Sequence, residues 1–191
     1  MQNLQHRKEG KIMNSNEPLA YRVRPKTLEE YVGQEHVIGE GKILYRTIKA
    51  DRLSSIILFG PPGCGKTSLA RVISETTKYK FYKINAVTAG VSDIKKVIEE
   101  TKNFMLNPTG KSILFIDEIH RFNKLQQDAL LPYVENGTII LIGATTENPY
   151  FEVNKALISR SMVVKLEPLT TENIYTVLKN ALKNKEGLRR I

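Results

Sequence analysis

Ser54-Ser55-Ile56-Ile57-Leu58-Phe59 runs directly into Gly60-Pro61-Pro62-Gly63-Cys64-Gly65-Lys66-Thr67, and a helical pattern follows over residues 68–77. The octapeptide fits G-x-x-x-x-G-K-[ST] at every fixed position, and an apolar strand before it and a helix after it are the context that pattern needs. The glycines let backbone amides curl around anionic oxygens with no Cβ in the way. The helix that follows presents the positive end of its dipole to the same anion. Lys66 supplies a point charge for β- and γ-phosphates, and the Thr67 hydroxyl is a Mg²⁺ ligand. The candidate nucleotide-binding residues are therefore Gly60, Pro61, Pro62, Gly63, Cys64, Gly65, Lys66, Thr67 and Ser68, with ATP and Mg²⁺ as the expected cofactors. A glycine–proline turn without a ligand would read the same over eight residues. The strand and helix in register decide against it. Cys64 occupies a free position and reads as a small filler.

Outward from this loop the chain alternates. Apolar runs at 55–60, 81–85, 112–117, 138–145 and 162–166 are bounded by Gly, Pro or Asn. They are nearly continuous in Ile, Val, Leu and Phe, as strands covered on both faces of a parallel sheet are. Between them lie helical patterns. Ser92 is a candidate N-cap for a helix carrying Ile94, Val97, Ile98 and Met105 on one face, and Leu125, Ala129, Leu130 and Tyr133 repeat the spacing. Strand and helix in alternation predict an α/β three-layer sandwich on a parallel five-stranded sheet. Ile174, Val177, Leu178, Ala181 and Leu182 form a final amphipathic stripe, capped by Thr170 or Thr171, and such a stripe needs a cover. Residues 1–17 are polar without periodicity and read as a flexible arm, with a second possible start at Met13. Residues 18–167 read as the core.

Composition narrows the class. The 191 residues allow one domain, or one and a fragment of a second, and the net charge is +9. A nucleic-acid partner is consistent with that charge, although the basic residues are dispersed, as at Lys78, Lys80, Lys83, Lys95, Lys96 and Lys102, and outline no groove. One cysteine excludes an internal disulfide, and His6, His36 and His120 are too scattered for a multi-histidine metal site. No apolar run approaches the ~20 residues of a membrane span, and the basic N-terminus lacks the apolar core of a signal peptide. A soluble, reducing, intracellular setting is expected.

The run 112–117 ends in two adjacent acids, Asp117 and Glu118. Desolvating both is costly, and the C-terminal edge of a parallel sheet faces the ligand crevice. Asp117 suits Mg²⁺, held through water, and Glu118 suits a general base on an attacking water. A helix N-cap with a first-turn acid is the alternative, and the upstream loop weighs against it. Asp-Glu-Ile-His also resembles a helicase DExH box, with Gly143-Ala144-Thr145 similar to that family's third motif. Such helicases need a second domain with an Arg-rich motif, and they do not usually carry Gly-Pro-Pro-Gly.

Taken with the phosphate loop, Asp117-Glu-Ile-His-Arg-Phe-Asn123, Ile142-Gly-Ala-Thr-Thr-Glu-Asn-Pro149 and Leu157-Ile-Ser-Arg-Ser161 resemble an AAA+ ATPase of the clamp-loader clade. Arg24-Pro-Lys-Thr-Leu-Glu-Glu-Tyr-Val-Gly-Gln-Glu-His36 is similar to that clade's opening box. Pro18-Leu-Ala-Tyr-Arg22, Asn85-Ala-Val-Thr-Ala-Gly-Val91 and Thr146-Glu-Asn-Pro-Tyr-Phe-Glu-Val-Asn154 look most like the replication-associated recombination protein A family. The eukaryotic counterpart of that family is the Werner-helicase-interacting ATPase. The resemblance covers roughly residues 18–173. It implies that Thr146 is sensor 1, positioning the lytic water, and that Arg160 is an arginine finger acting in trans. It implies, more weakly, that Asn85 is a polar partner of the catalytic Glu118. Val37 and Ile38, with residues 21–24, would line the adenine pocket, although apolar residues there equally suit a core. Residues 168–191 would be the first helix of an incomplete lid. Arg189 and Arg190 do not sit in the family's sensor-2 context.

The function this resemblance implies is ATP hydrolysis between subunits of a homo-oligomer, acting on single-stranded or forked DNA or on replication and repair proteins at stalled forks. No membrane partner is implied, and the location would be cytoplasmic and nucleoid-associated. The alternative is a nucleotide-gated adaptor or clamp-loader-like subunit with little turnover of its own. A small P-loop kinase is a third reading, one that would not need Arg160.

Overall fold

The computed structural model describes residues 17–77 and 79–184. The polar arm at 1–16, Lys78, Arg189 and Arg190 lie outside the described residues. In chain order the elements are α1 (Leu19–Arg22), α2 (Glu35–Ile38), α3 (Ile43–Lys49), β1 (Ser55–Phe59), α4 (Lys66–Thr77), β2 (Lys80–Asn85) and α5 (Val91–Lys102). Then come β3 (Ser112–Asp117), a 3-10 turn (Ile119–Arg121), α6 (Lys124–Asp128), α7 (Leu131–Glu135), β4 (Ile139–Thr145), α8 (Pro149–Glu152), α9 (Lys155–Ile158), β5 (Ser161–Lys165) and α10 (Thr171–Lys183).

The strands form one five-stranded sheet in the order β2-β3-β4-β1-β5. Every adjacent pair is parallel. The chain crosses from β1 to the far edge, returns through β3 to β4 beside β1, and then passes to the other side as β5. The C-terminal ends of β1, β3 and β4 therefore meet where the strand order reverses, which is where open α/β sheets hold ligands.

The continuous apolar runs arise because successive side chains leave opposite faces of the sheet. On β3, Ile113 and Phe115 join a layer with Leu44, Ile48, Leu69, Val72 and Ile73 from α3 and α4. Leu114 and Ile116 join the opposite layer with Ile94, Val97 and Ile98 from α5. The central strands β3 and β4 are buried almost throughout. At the sheet edges β2 and β5 are only half-buried, because each has a neighbour on one side alone.

Three local expectations are revised. Residues 124–135 form two short helices rather than one, the second starting with Pro132 in its first turn, and Leu125 is 73% exposed instead of facing the core. Met105 lies beyond the end of α5 and is 92% exposed. Ser92 lies inside α5, not at its cap; the Gly90 amide donates to the Asp93 carboxylate at 2.8 Å, and the cap falls two residues earlier. For α10 the cap is Thr170, whose hydroxyl accepts from the Asn173 amide at 3.2 Å while the Asn173 side chain accepts from the Thr170 amide at the same distance. Ile174, Val177, Leu178 and Leu182 on that helix are exposed.

Candidate nucleotide-binding site

The phosphate loop leaves β1 through Gly60, whose amide donates to Thr145 O at 3.2 Å. Gly65 has φ +101, and a Cβ there would collide with the Tyr31 hydroxyl. Tyr31 donates to Gly65 O at 3.2 Å, and burial pushes its phenol up, so the proton stays in that bond. The loop is thereby closed from outside by the segment that precedes α2.

Lys66 is the first residue of α4 and is 9% exposed. Its ammonium donates to Gly60 O at 2.7 Å and Pro61 O at 3.0 Å. Among the described residues it has no carboxylate partner. A buried cation held by carbonyl dipoles and a thiol sulfur, with no counter-charge beside it, is suited to receiving an anion. Pro62, Gly63, Gly65, Lys66, Thr67 and Ser68 line an open pocket of about 320 Å³, completed by Asp117, Glu118 and Thr146. The loop, the acids after β3 and the end of β4 thus share one cavity. Thr67 and Asp117 offer hard oxygen ligands to it. Few protein oxygens are needed by Mg²⁺, which keeps several waters and completes its shell with substrate phosphates. The donor set fits a magnesium nucleotide.

The two acids differ in environment. The Asp117 carboxylate lies 3.4 Å from the Lys83 ammonium on the edge strand. Glu118 has φ +55, a left-handed backbone that a residue with a Cβ adopts at a cost of about 1–2 kcal/mol. That turn swings the chain from the sheet edge into the 3-10 turn, where Arg121 N donates to Glu118 O at 2.8 Å. Glu118 and His120 approach to 3.4 Å.

Other sequence candidates lie outside the pocket lining. Asn85 ends β2 in register with Asp117, but its side-chain oxygen accepts from the Val87 amide at 2.9 Å and so serves the turn. Ile38 is 7% exposed and belongs to the core, and Val37 packs partly buried against the same cluster. Arg160 is exposed beyond α9. Its guanidinium donates to Ala156 O at 2.9 Å and pairs with Glu135 at 2.8 Å. Cys64 is a buried filler whose sulfur lies 3.9 Å from the Lys66 ammonium.

Residues 56–168 match the ATPase family associated with various cellular activities, AAA. The chain belongs to the AAA family. It is 51% identical over 172 residues to replication-associated recombination protein A of Haemophilus influenzae and to that of Escherichia coli K12. Each match covers 90% of the chain and 38% of the relative, so the chain spans well under half the length of these curated relatives. The ATPase WRNIP1 of Dictyostelium discoideum is 51% identical over 166 residues, 87% of this chain and 19% of that protein. Among solved structures, the RuvB Holliday junction branch migration motor of Thermotoga maritima superposes with a TM-score of 0.69 at 28% identity, covering 85% of this chain and 54% of its own. The α/β sandwich expected from the sequence is thus an AAA fold.

Two polar groups around this AAA pocket escape a reading by motif. Gln34 is 5% exposed with φ +64, and its side chain reaches Cys64 O in the phosphate loop and the backbone of Glu167 beyond β5. His120 bonds to Thr145 on β4. Gln34 stands in the opening box and His120 in the acidic motif, so both positions were visible. Their partners, 133 and 25 residues away, were not.

Proposed function

We propose that this AAA domain binds ATP with Mg²⁺ in the pocket between β1, β3 and β4 and hydrolyses it, working as part of a homo-oligomer on DNA or replication and repair proteins. The observation that carries the reading is the convergence of Lys66, Thr67, Asp117, Glu118 and Thr146 on one cavity. Lys66 and the amides of residues 63–68 hold the phosphates. Thr67 and Asp117 would hold Mg²⁺, which would neutralise phosphate charge. Glu118 takes the proton of the attacking water, and Thr146 orients that water. Arg160 lies outside the lining of its own pocket, which suits a group that acts on nucleotide held by a neighbouring subunit. Asn85 gives its side-chain oxygen to the turn after β2, and Val37 and Ile38 pack in or against the apolar core.

The names of the relatives and the net charge of +9 support a DNA partner. Among the described residues no helix is long and apolar enough to cross a membrane. The test is the ATPase rate with and without single-stranded or forked DNA over a salt series. Stimulation by DNA that weakens as salt rises is the expected result. A flat rate with no salt-dependent binding favours the nucleotide-gated adaptor instead.

A further inference from the structure

His120 sits in the 3-10 turn immediately after Glu118, with its side chain only 10% exposed. Nδ1 lies 2.8 Å from Thr145 Oγ1 and 3.4 Å from Glu118 Oε2. Thr145 is fully buried, and its hydroxyl oxygen already accepts from the Glu147 amide at 3.0 Å. One ring nitrogen therefore faces a carboxylate on one side and a hydroxyl anchored to the end of β4 on the other. The next residue, Thr146, lines the pocket with Glu118.

Two arrangements of protons are open to such a nitrogen. If Nδ1 is bare, it accepts the Thr145 proton and turns its lone pair toward the carboxylate, which repels it. If Nδ1 carries the proton, that proton is shared by Thr145 and Glu118, both contacts are attractive, and the Thr145 oxygen accepts twice with its own proton rotated away from the ring. Glu118 needs such a restraint. Its backbone is left-handed, the turn after it is a single 3-10 turn, and the side-chain oxygen of Asn85 is taken by the Val87 amide.

We propose that His120 is the positioning residue of Glu118, its Nδ1 proton tying the carboxylate to Thr145 so that the end of β4 sets where the carboxylate points. A shift of β4 at Thr146 is then felt at Glu118 through a single ring. The proposal deepens the hydrolase reading and rests on Glu118 as the base.

The first measurement needs no turnover. Imidazole ¹⁵N shifts report which ring nitrogen carries the proton, and the Nδ1-protonated form is expected in the unmodified chain and in Thr145→Val. A bare Nδ1 overturns the proposal, whatever Glu118 does. The second measurement separates binding from turnover. His120→Ala is expected to lower kcat by about 10- to 100-fold through misplacement of the base, with ATP affinity held within about twofold. His120→Asn places an amide nitrogen one bond beyond Cγ, as Nδ1 is, and should restore part of the loss. Equal kcat values for the Ala and Asn variants would overturn the proposal, and so would a loss in ATP affinity alone. Hydrolysis that survives Glu118→Gln would instead remove the base assignment and leave the ¹⁵N result standing as a statement about the hydrogen bond.

Discussion

The carboxamide of Gln34 pairs with the backbone of Glu167 as one amide pairs with another: Nε2 donates to Glu167 O at 2.7 Å, and Oε1 accepts from Glu167 N at 2.9 Å. The same Nε2 reaches Cys64 O at 3.2 Å. One side chain therefore joins the phosphate loop to the segment that leads from β5 into α10. A buried polar group left without a partner costs about 1–3 kcal/mol. Gln34→Ala is expected to lower stability by about 2–3 kcal/mol and to weaken nucleotide binding. Gln34→Gly loses the same bonds but relieves the left-handed backbone at φ +64, so it should be the milder change by about 1 kcal/mol. Thermal denaturation of the three proteins checks the order. Equal melting of Gln34→Ala and the unmodified chain would show that the bridge contributes nothing.

Gly143 on β4 supplies a test of the sheet's packing. A Cβ there would meet Ile57 Cδ1 at 2.8 Å and Ile119 Cδ1 at 2.9 Å. Both side chains are fully buried, so neither has room to retreat. Gly143→Ala should destabilise by about 1–3 kcal/mol as an overpacked core does. Adding Ile119→Val removes one of the offending methyl groups and should recover part of the loss. A double variant less stable than the sum of the single changes would contradict this account.

The fold was legible because buried parallel strands write themselves as unbroken apolar runs, and all five runs became strands with ends displaced by at most one residue. The loop and the acidic pair were legible because their chemistry is contiguous in sequence. The adenine-pocket assignment was not, since Ile38 obeys the same apolar preference whether it meets a base or the core. Residues 124–135 misled because their spacing carries a helical period through a break before Leu131. Asn85 left two readings open, because an asparagine at a strand end caps its own turn as readily as it meets a partner, and its oxygen does accept from the Val87 amide. The bridges of Gln34 to Glu167 and His120 to Thr145 have no local signature. They depend on which strands the topology places side by side.

Arg160 and Glu135 form an exposed pair, with 42% and 48% of their side chains open to water. Such pairs contribute about 0–1 kcal/mol. Arg160→Ala should therefore leave the melting temperature and ATP binding nearly unchanged. Turnover that depends on self-assembly should fall sharply, because the guanidinium lies outside the lining of its own pocket. The discriminating measurement is the ATPase rate against protein concentration. A wild-type rate per subunit that rises on assembly, and an Arg160→Ala rate that does not, is the expected pair of curves. An equal loss at every concentration, down to monomer, would make Arg160 a residue of its own site.

Glu118→Gln separates binding from chemistry most directly. The substitution keeps size and leaves an amide that can still accept a hydrogen bond in the pocket, but it cannot take up a proton at neutral pH. The groups proposed to hold phosphate, Lys66 and the loop amides, are untouched. ATP affinity should stay within about threefold, while kcat falls by about 10²–10⁴-fold, the range of a lost general base. Lys66→Ala should do the reverse, since it removes the buried cation held at Gly60 O and Pro61 O, and its main loss should appear in affinity. Fluorescent-nucleotide titration beside single-turnover hydrolysis reads both quantities. Hydrolysis retained in Glu118→Gln would move the base elsewhere, and the remaining carboxylate of the cavity, Asp117, would be the first to examine.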